Sequence, residues 1–214
     1  MTLGSVLPDL FRNHRNDWKF SPEKFEESFG DDPNLAALYK GWNLHIQTDA
    51  LFHNSVPFKL QSSLLRKDLQ KVFTQLPKRP FFLAHVGYEL ILDSLLLRKK
   101  QVNSDLFYEH LQQANDEVLE RFMLIIRITE TDSFHAFLKH FIDSRYLETY
   151  THTISLVQAL DNIGRRVWGD RFTQSETEGT ILIIESALEE LSPMFLEVYR
   201  LIEKAITTAS DNNS

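Results

Sequence analysis

Residues 81–100 read FFLAHVGYELILDSLLLRKK, and this stretch decides the fold. Apolar side chains such as Phe82, Leu90 and Leu95 occur on nearly every side of the helix that it predicts. A helix that is apolar all round is normally buried at the centre of a bundle. We therefore expect a central helix over residues 81–100 that other helices surround.

The rest of the chain indicates an all-α fold. Only 7 Gly and 7 Pro occur among 214 residues, and no Asn-Gly or Asp-Gly hairpin signal is present. We predict a compact single-domain helical bundle over residues 1–209 and a frayed tail over residues 210–214. Helices are predicted over residues 5–14, 21–30, 34–54, 59–76, 81–100, 103–127, from 131, 146–167 and 180–208, the last with a kink at Pro193.

The composition excludes several classes of protein. Lys and Arg number 23 and Asp and Glu number 30, and the net charge of −7 argues against broad nucleic-acid binding. Because Cys is absent, disulfides, thiolate metal ligands and cysteine nucleophiles are excluded. No run of 18 uncharged apolar residues occurs, so the sequence predicts no membrane-spanning helix. Pro8 and Asp9 interrupt the apolar stretch at the start of the sequence, so we expect no signal peptide. A cytoplasmic location is therefore the expectation.

Polar groups continue an apolar stripe in the helix of residues 34–54. Steps of three and four residues place His45, Asp49 and His53 on the face that Leu38 and Trp42 begin. His45 and His53 are separated by about 12 Å of helix rise, so one ion is not expected to bind all three. Either two ions bind, or one of the three residues supports the ligands or contacts substrate, and His45 and Asp49 are the better metal candidates.

The central helix repeats this pattern with His85 and Glu89, one turn apart. A buried imidazole or carboxylate is costly unless it is paired or bound to a metal. About one such pair is expected by chance and two occur, so the argument depends on the apolar faces that carry them. The residues predict either a metal site between two helices or a His–carboxylate pair that orders the core.

A resemblance to a known family adds to this pattern. Residues 4–11 (GSVLPDLF) resemble the opening of the acyl carrier protein phosphodiesterase family and the start of zinc-dependent phospholipase C-like proteins. Residues 41–53 (GWNLHIQTDALFH) are similar to that family's His- and Asp-containing helix. Residues 85–89 (HVGYE) fall at its second acidic motif, and residues 146–166 follow its closing helix with the paired Arg. The resemblance covers most of residues 1–170.

The resemblance implies an HD-domain-like hydrolase that releases 4′-phosphopantetheine from holo-acyl carrier protein by metal-dependent phosphodiester cleavage. By resemblance, Asp9, His45 and Asp49 match the family's metal positions. His53, His85 and Glu89 replace acidic residues of the family. The family's Phe-Leu-Ala-His segment ahead of residue 4 has no counterpart there, and Asn43 replaces a family His.

These considerations predict a divalent ion, Mn, Fe or Zn, in one or two copies, and acyl carrier protein as the partner. Acyl carrier proteins are acidic, so docking needs a local basic patch on this acidic chain. The alternatives are a catalytically decayed binding or adaptor protein and a hydrolase of another phosphodiester. The predicted roles are metal ligation by Asp9, His45, Asp49, His85 and Glu89, catalysis by Asp49 and His53, and phosphate binding by Arg165 and Arg166.

Overall fold

The computed structural model of the chain describes residues 1–15, 17–75 and 77–211. Those residues form ten α-helices and two 3-10 helices without any strand, which confirms the all-α prediction. The 3-10 helices are Pro22–Phe29 and Tyr146–Thr151. The α-helices are α1 (Leu7–His14), α2 (Pro33–Asn54), α3 (Val56–Val72), α4 (Pro80–Arg98), α5 (Ser104–Gln112), α6 (Asp116–Ile125), α7 (Thr131–Ser144), α8 (Thr153–Trp168), α9 (Gln174–Leu191) and α10 (Leu196–Asp211).

The chain divides into two compact units. Unit 1 comprises Met1–Ala50 and Ser104–Tyr146, and unit 2 comprises Leu51–Asn103 and the described residues from Leu147 onward. The prediction of one domain over residues 1–209 stays a prediction. Leu76, the predicted end of one helix, and residues 212–214 of the predicted tail lie outside the described residues.

The core of unit 2 is built around α4, as the sequence predicts. This helix packs against α3, α8 and α9, and its buried positions point in several directions. Gly87 lies where α3 and α8 approach, because a Cβ there would be 3.3 Å from Leu65 Cδ2 and 3.8 Å from Leu160 Cδ2. The buried residues of α4 are Leu83, Ala84, Gly87, Tyr88, Leu90, Ile91, Leu92, Ser94 and Leu95.

One helix of the described part, α4, is long and apolar enough to cross a membrane by length and composition. Half of its apolar window is buried inside the structure. A helix at the centre of a protein core passes the same test, so this property is weak support for a membrane span.

Unit 1 has an aromatic core formed by α1, α2, α6 and α7. Phe11 is fully buried and packs edge-on against Phe134, with ring centroids 4.6 Å apart. Trp42 of α2 and Phe122 of α6 are also buried, and their ring centroids are 6.3 Å apart. The apolar stripe predicted on residues 34–54 is therefore buried in the core from the start of α2 up to Trp42.

Several predicted helix boundaries are wrong. The single helix predicted over residues 103–127 is two helices, because the Asn115 side chain accepts a hydrogen bond from Val118 N–H and starts α6. The helix predicted from residue 180 begins at Gln174, where Thr173 and Glu176 form a capping box. The kink predicted at Pro193 is a break between α9 and α10, and residues 146–151 and 22–29 form 3-10 helices.

Candidate metal centre

Three side chains of unit 2 converge from two helices. His53 lies in the last turn of α2, and His85 and Glu89 lie one turn apart on α4. The chain leaves α2 at Asn54 and re-enters helix at Val56, so His53 lies close in sequence to the start of α3. The spacing of four residues places His85 and Glu89 on the same face of α4.

Both imidazoles approach one carboxylate oxygen. His53 Nε2 is 2.9 Å from Glu89 Oε1, and His85 Nε2 is 3.2 Å from the same atom. A carboxylate accepts hydrogen bonds, so Nε2 of His53 carries a hydrogen in this arrangement. The three potential ligand atoms all lie within 4.8 Å of one another, and the three residues could hold a metal ion.

Aromatic packing accompanies this convergence. The rings of His53 and His85 are stacked, with centroids 4.6 Å apart and an interplanar angle of 6°. Phe58, in the first turn of α3, meets both rings nearly at right angles. Burial raises the pKa of the neighbouring Tyr88 to about 12, so its phenol stays neutral near pH 7.

The cluster is partly open to solvent. The side chains of His53, His85 and Glu89 are 26%, 36% and 36% exposed. Two imidazole nitrogens and one carboxylate oxygen form a ligand set that catalytic zinc sites use, with the fourth position left for water or substrate. Partial exposure is what access to such a fourth position requires.

The predicted ligands of unit 1 are arranged differently. The Nδ1–H of His45 donates to the Ser5 carbonyl oxygen at 2.9 Å, and Nε2 of the same ring lies 3.8 Å from Asp9 Oδ1. The side chain of Asp9 is 64% exposed, and that of His45 is 16% exposed. Asp49 is exposed on α2 and also belongs to unit 1. The structure thus brings Asp9 and His45 together, and the ligand roles of Asp9, His45 and Asp49 stay predictions.

Two glycines explain how Ser5 reaches His45. A Cβ on Gly41 would lie 2.4 Å from the Met1 carbonyl oxygen and 2.8 Å from Ser5 N, and a Cβ on Gly4 would lie 2.2 Å from the Leu38 carbonyl oxygen. The N-terminal segment therefore lies directly on the backbone of α2, one turn before His45.

The predicted phosphate-binding residues lie at one helix end. Arg165 and Arg166 are exposed in the last turn of α8. The helix ends at Gly169, which adopts a left-handed φ of 90° and donates its N–H to the Arg165 carbonyl oxygen. Cations are favourable in this position whatever their function, so the phosphate role stays a prediction.

Sequence reasoning missed two features of the cluster. It placed His53 in a catalytic role, whereas the structure groups this residue with His85 and Glu89. The helix predicted over residues 59–76 also begins too late to include Phe58, although Ser55 and Pro57 form a recognisable helix start beside His53. The available signal was the short distance in sequence between His53 and this helix start.

Comparison with protein-family models, curated proteins and solved structures finds no match to this chain. The resemblance to the acyl carrier protein phosphodiesterase family therefore stays a prediction.

Proposed function

We propose that the chain is a metal-dependent phosphodiester hydrolase of HD-domain-like fold, with its ion held by His53, His85 and Glu89. The observation that carries this proposal is the approach of both Nε2 atoms to one oxygen of Glu89, within 3.2 Å. The last turn of α2 and the helix α4 supply these atoms on a partly exposed face of unit 2.

A divalent ion in such a site supplies an activated water near neutral pH and polarises a phosphoryl oxygen. The chain's own contribution is to orient two imidazoles and one carboxylate and to leave one side open. Neutral imidazole is the form that binds a metal, so His53 would carry its hydrogen on Nδ1 and turn its Nε2 lone pair to the ion. Binding weakens as the pH falls, because protons compete with the metal for the imidazoles. Mixed nitrogen and oxygen ligands favour Zn, Fe or Mn over Mg.

Arg165 and Arg166 are proposed to neutralise the substrate phosphate. Asp9, His45 and Asp49 are proposed as ligands of a second ion, with Asp49 as the further catalytic group that the sequence indicates. The number of bound ions decides whether this second group takes part.

The direct test is metal analysis of protein purified without chelator, followed by hydrolysis of a generic aryl phosphodiester with Mn²⁺ or Zn²⁺. We expect copurified metal and activity in the wild-type chain, and loss of both in His85→Ala. His152→Ala is the matched control, because it makes the same change in unit 2 at an exposed position before α8. A wild-type chain without metal or activity contradicts the proposal.

Acyl carrier protein is the proposed substrate partner, and the cytoplasm is the proposed location. Unit 2 contains several runs of basic residues, and that of Arg66 and Lys67 on α3 is exposed. An acidic partner needs such a local patch on a chain of net charge −7. Release of 4′-phosphopantetheine from holo-acyl carrier protein tests this substrate, and cleavage of only other phosphodiesters contradicts it.

A second candidate function is a helical binding protein without chemistry. The observation that favours it is the His53–Glu89 hydrogen bond of 2.9 Å, which satisfies these two groups without an ion. In that case His85→Ala changes thermal stability and leaves no metal or activity to lose. The metal analysis above separates the two functions.

A further inference from the structure

We infer that Phe58 is a positioning residue that keeps the imidazole rings of His53 and His85 in the orientation that metal binding requires. This inference rests on the proposed ligand set of His53, His85 and Glu89. Among the described residues, Phe58 is the aromatic side chain whose ring contacts both imidazoles. It does not itself offer a ligand atom, so any influence on the ion acts through the two histidines.

The three rings form a nearly equilateral arrangement. The Phe58 centroid is 4.6 Å from that of His53 and 4.9 Å from that of His85, and the two imidazole centroids are 4.6 Å apart. Phe58 is inclined at 75° to the first imidazole and at 78° to the second. Because the imidazoles are parallel within 6°, one perpendicular ring contacts both and restrains both.

The Phe58 ring is itself held in place. The Ser55 hydroxyl oxygen accepts a hydrogen bond from Phe58 N–H at 3.2 Å, and Pro57 fixes the backbone of the first turn of α3. Phe52 packs against the ring at 4.9 Å and Tyr88 packs at 5.7 Å, and only 5% of Phe58 is exposed. A ring fixed by a cap, a proline and two aromatic neighbours can act as a rigid support.

This support determines where the Nε2 atoms point. Without the ring, His53 and His85 gain freedom to rotate away from each other, and that freedom must be lost again when an ion binds. Substitution of groups that orient metal ligands by hydrogen bonds commonly changes metal affinity by about 10- to 100-fold, and we expect a support that acts through packing to fall at the lower end of that range. Phe58 therefore belongs to the binding site through geometry alone.

The test compares Phe58→Leu with Phe73→Leu. Phe73 directly follows the last residue of α3, is 3% exposed and packs on Phe172, so it provides the same chemical change at a similarly buried place in unit 2. Zn²⁺ affinity is measured by calorimetry on the full chain. We expect affinity about 10-fold weaker in Phe58→Leu and unchanged in Phe73→Leu. Equal affinities in the two variants overturn the inference.

A metal-free measurement keeps this test independent of the proposed function. Nitrogen-15 NMR of the imidazoles reports which ring nitrogen carries hydrogen, and we expect the Nε2–H form for His53 in the wild type. Phe58→Leu should mix the two tautomers, whereas Phe73→Leu should not. If the wild-type chain binds no Zn²⁺, the proposed function is contradicted. The tautomer populations of the two imidazoles still test whether Phe58 positions them.

If Phe58→Leu does not fold, Phe58→Met fills the space with a flexible side chain and takes its place in both measurements. Unchanged tautomers in whichever variant folds overturn the inference.

Discussion

Units 1 and 2 each contain a histidine followed by an acidic residue four positions later, and the two pairs adopt different arrangements. On α4, His85 Nε2 lies 3.2 Å from Glu89 Oε1, and His53 joins them. On α2, His45 donates to the Ser5 carbonyl, and its Nε2 lies 3.8 Å from Asp9 Oδ1. The first histidine of this spacing therefore joins a three-residue cluster in unit 2 and is held by a backbone carbonyl in unit 1, because packing neighbours decide the orientation.

Removing one imidazole from each unit gives the largest expected contrast. We expect His85→Ala to weaken binding of the first Zn²⁺ by on the order of 100-fold, because a direct ligand should matter at least as much as its supports. His45→Ala should leave this first binding step unchanged and lower the stoichiometry if a second ion binds. Calorimetric titration measures both quantities. The opposite order of effects would place the principal ion in unit 1.

Two helix glycines, Gly41 in unit 1 and Gly87 in unit 2, give the next contrast. A Cβ on Gly41 meets backbone atoms of Met1 and Ser5, which cannot move aside, so Gly41→Ala should destabilise the chain by about 3 kcal/mol. A Cβ on Gly87 meets the end of the Leu65 side chain, and the helix gains about 1 kcal/mol from alanine, so Gly87→Ala should be nearly neutral.

Urea unfolding measures this difference. Equal destabilisation by the two substitutions would show that the close approach of the N-terminal segment to α2 does not determine the cost of adding a Cβ at residue 41. Gly41→Ala should also disturb the His45–Ser5 hydrogen bond, which NMR of the imidazole detects.

Two carboxylates near helix N-termini, Glu176 and Asp32, give the smallest contrast, which is a difference in the pH dependence of stability. Burial raises the pKa of Glu176, whereas hydrogen bonds from Lys78 and Thr173 lower it. The lowering effects together outweigh burial, so the pKa lies below its ordinary value of 4.5. In unit 1, hydrogen bonds from Asn34 N–H and Arg121 hold the pKa of Asp32 below its ordinary value. A lowered folded-state pKa adds stability that is complete above the unfolded pKa and is lost as the pH falls through the folded one.

Thermal unfolding between pH 7 and pH 3 should therefore show a smaller acid-induced decrease of Tm in Glu176→Gln than in the wild type. Asp32→Asn should change this slope less, because its partner Arg121 is half exposed and solvent screens the pair. Identical slopes in Glu176→Gln and the wild type would contradict a stabilising ionised Glu176.

The sequence predicted the parts of the fold that depend on local pattern. The all-round apolar character of residues 81–100 identified the central helix, since burial on every side needs no knowledge of its neighbours. The break before α6 was missed, although Asn115 with Asp116 and Glu117 is a helix-start pattern. Continuous apolar periodicity across the break outweighed that pattern in the prediction.

The candidate site was predictable only in part. The spacing of His85 and Glu89 fixed their common face, because both lie on one helix. Which residue of α2 would meet them could not be predicted, since His45, Asp49 and His53 share one stripe and local periodicity does not determine the register between helices. The contribution of Phe58 depends on a third helix and was invisible to any single-helix pattern.

The central position of α4 also bears on how the chain is made. Its covering helices α8 and α9 follow much later in the sequence, and roughly 90 residues separate the end of α4 from the end of α9. At about 5–20 residues per second, the ribosome needs roughly 5–20 s to supply them. During that interval the apolar surface of α4 that α8 and α9 cover stays exposed on the nascent chain, and α3 is the packing partner already made. A stalled or truncated product would expose this surface to chaperones.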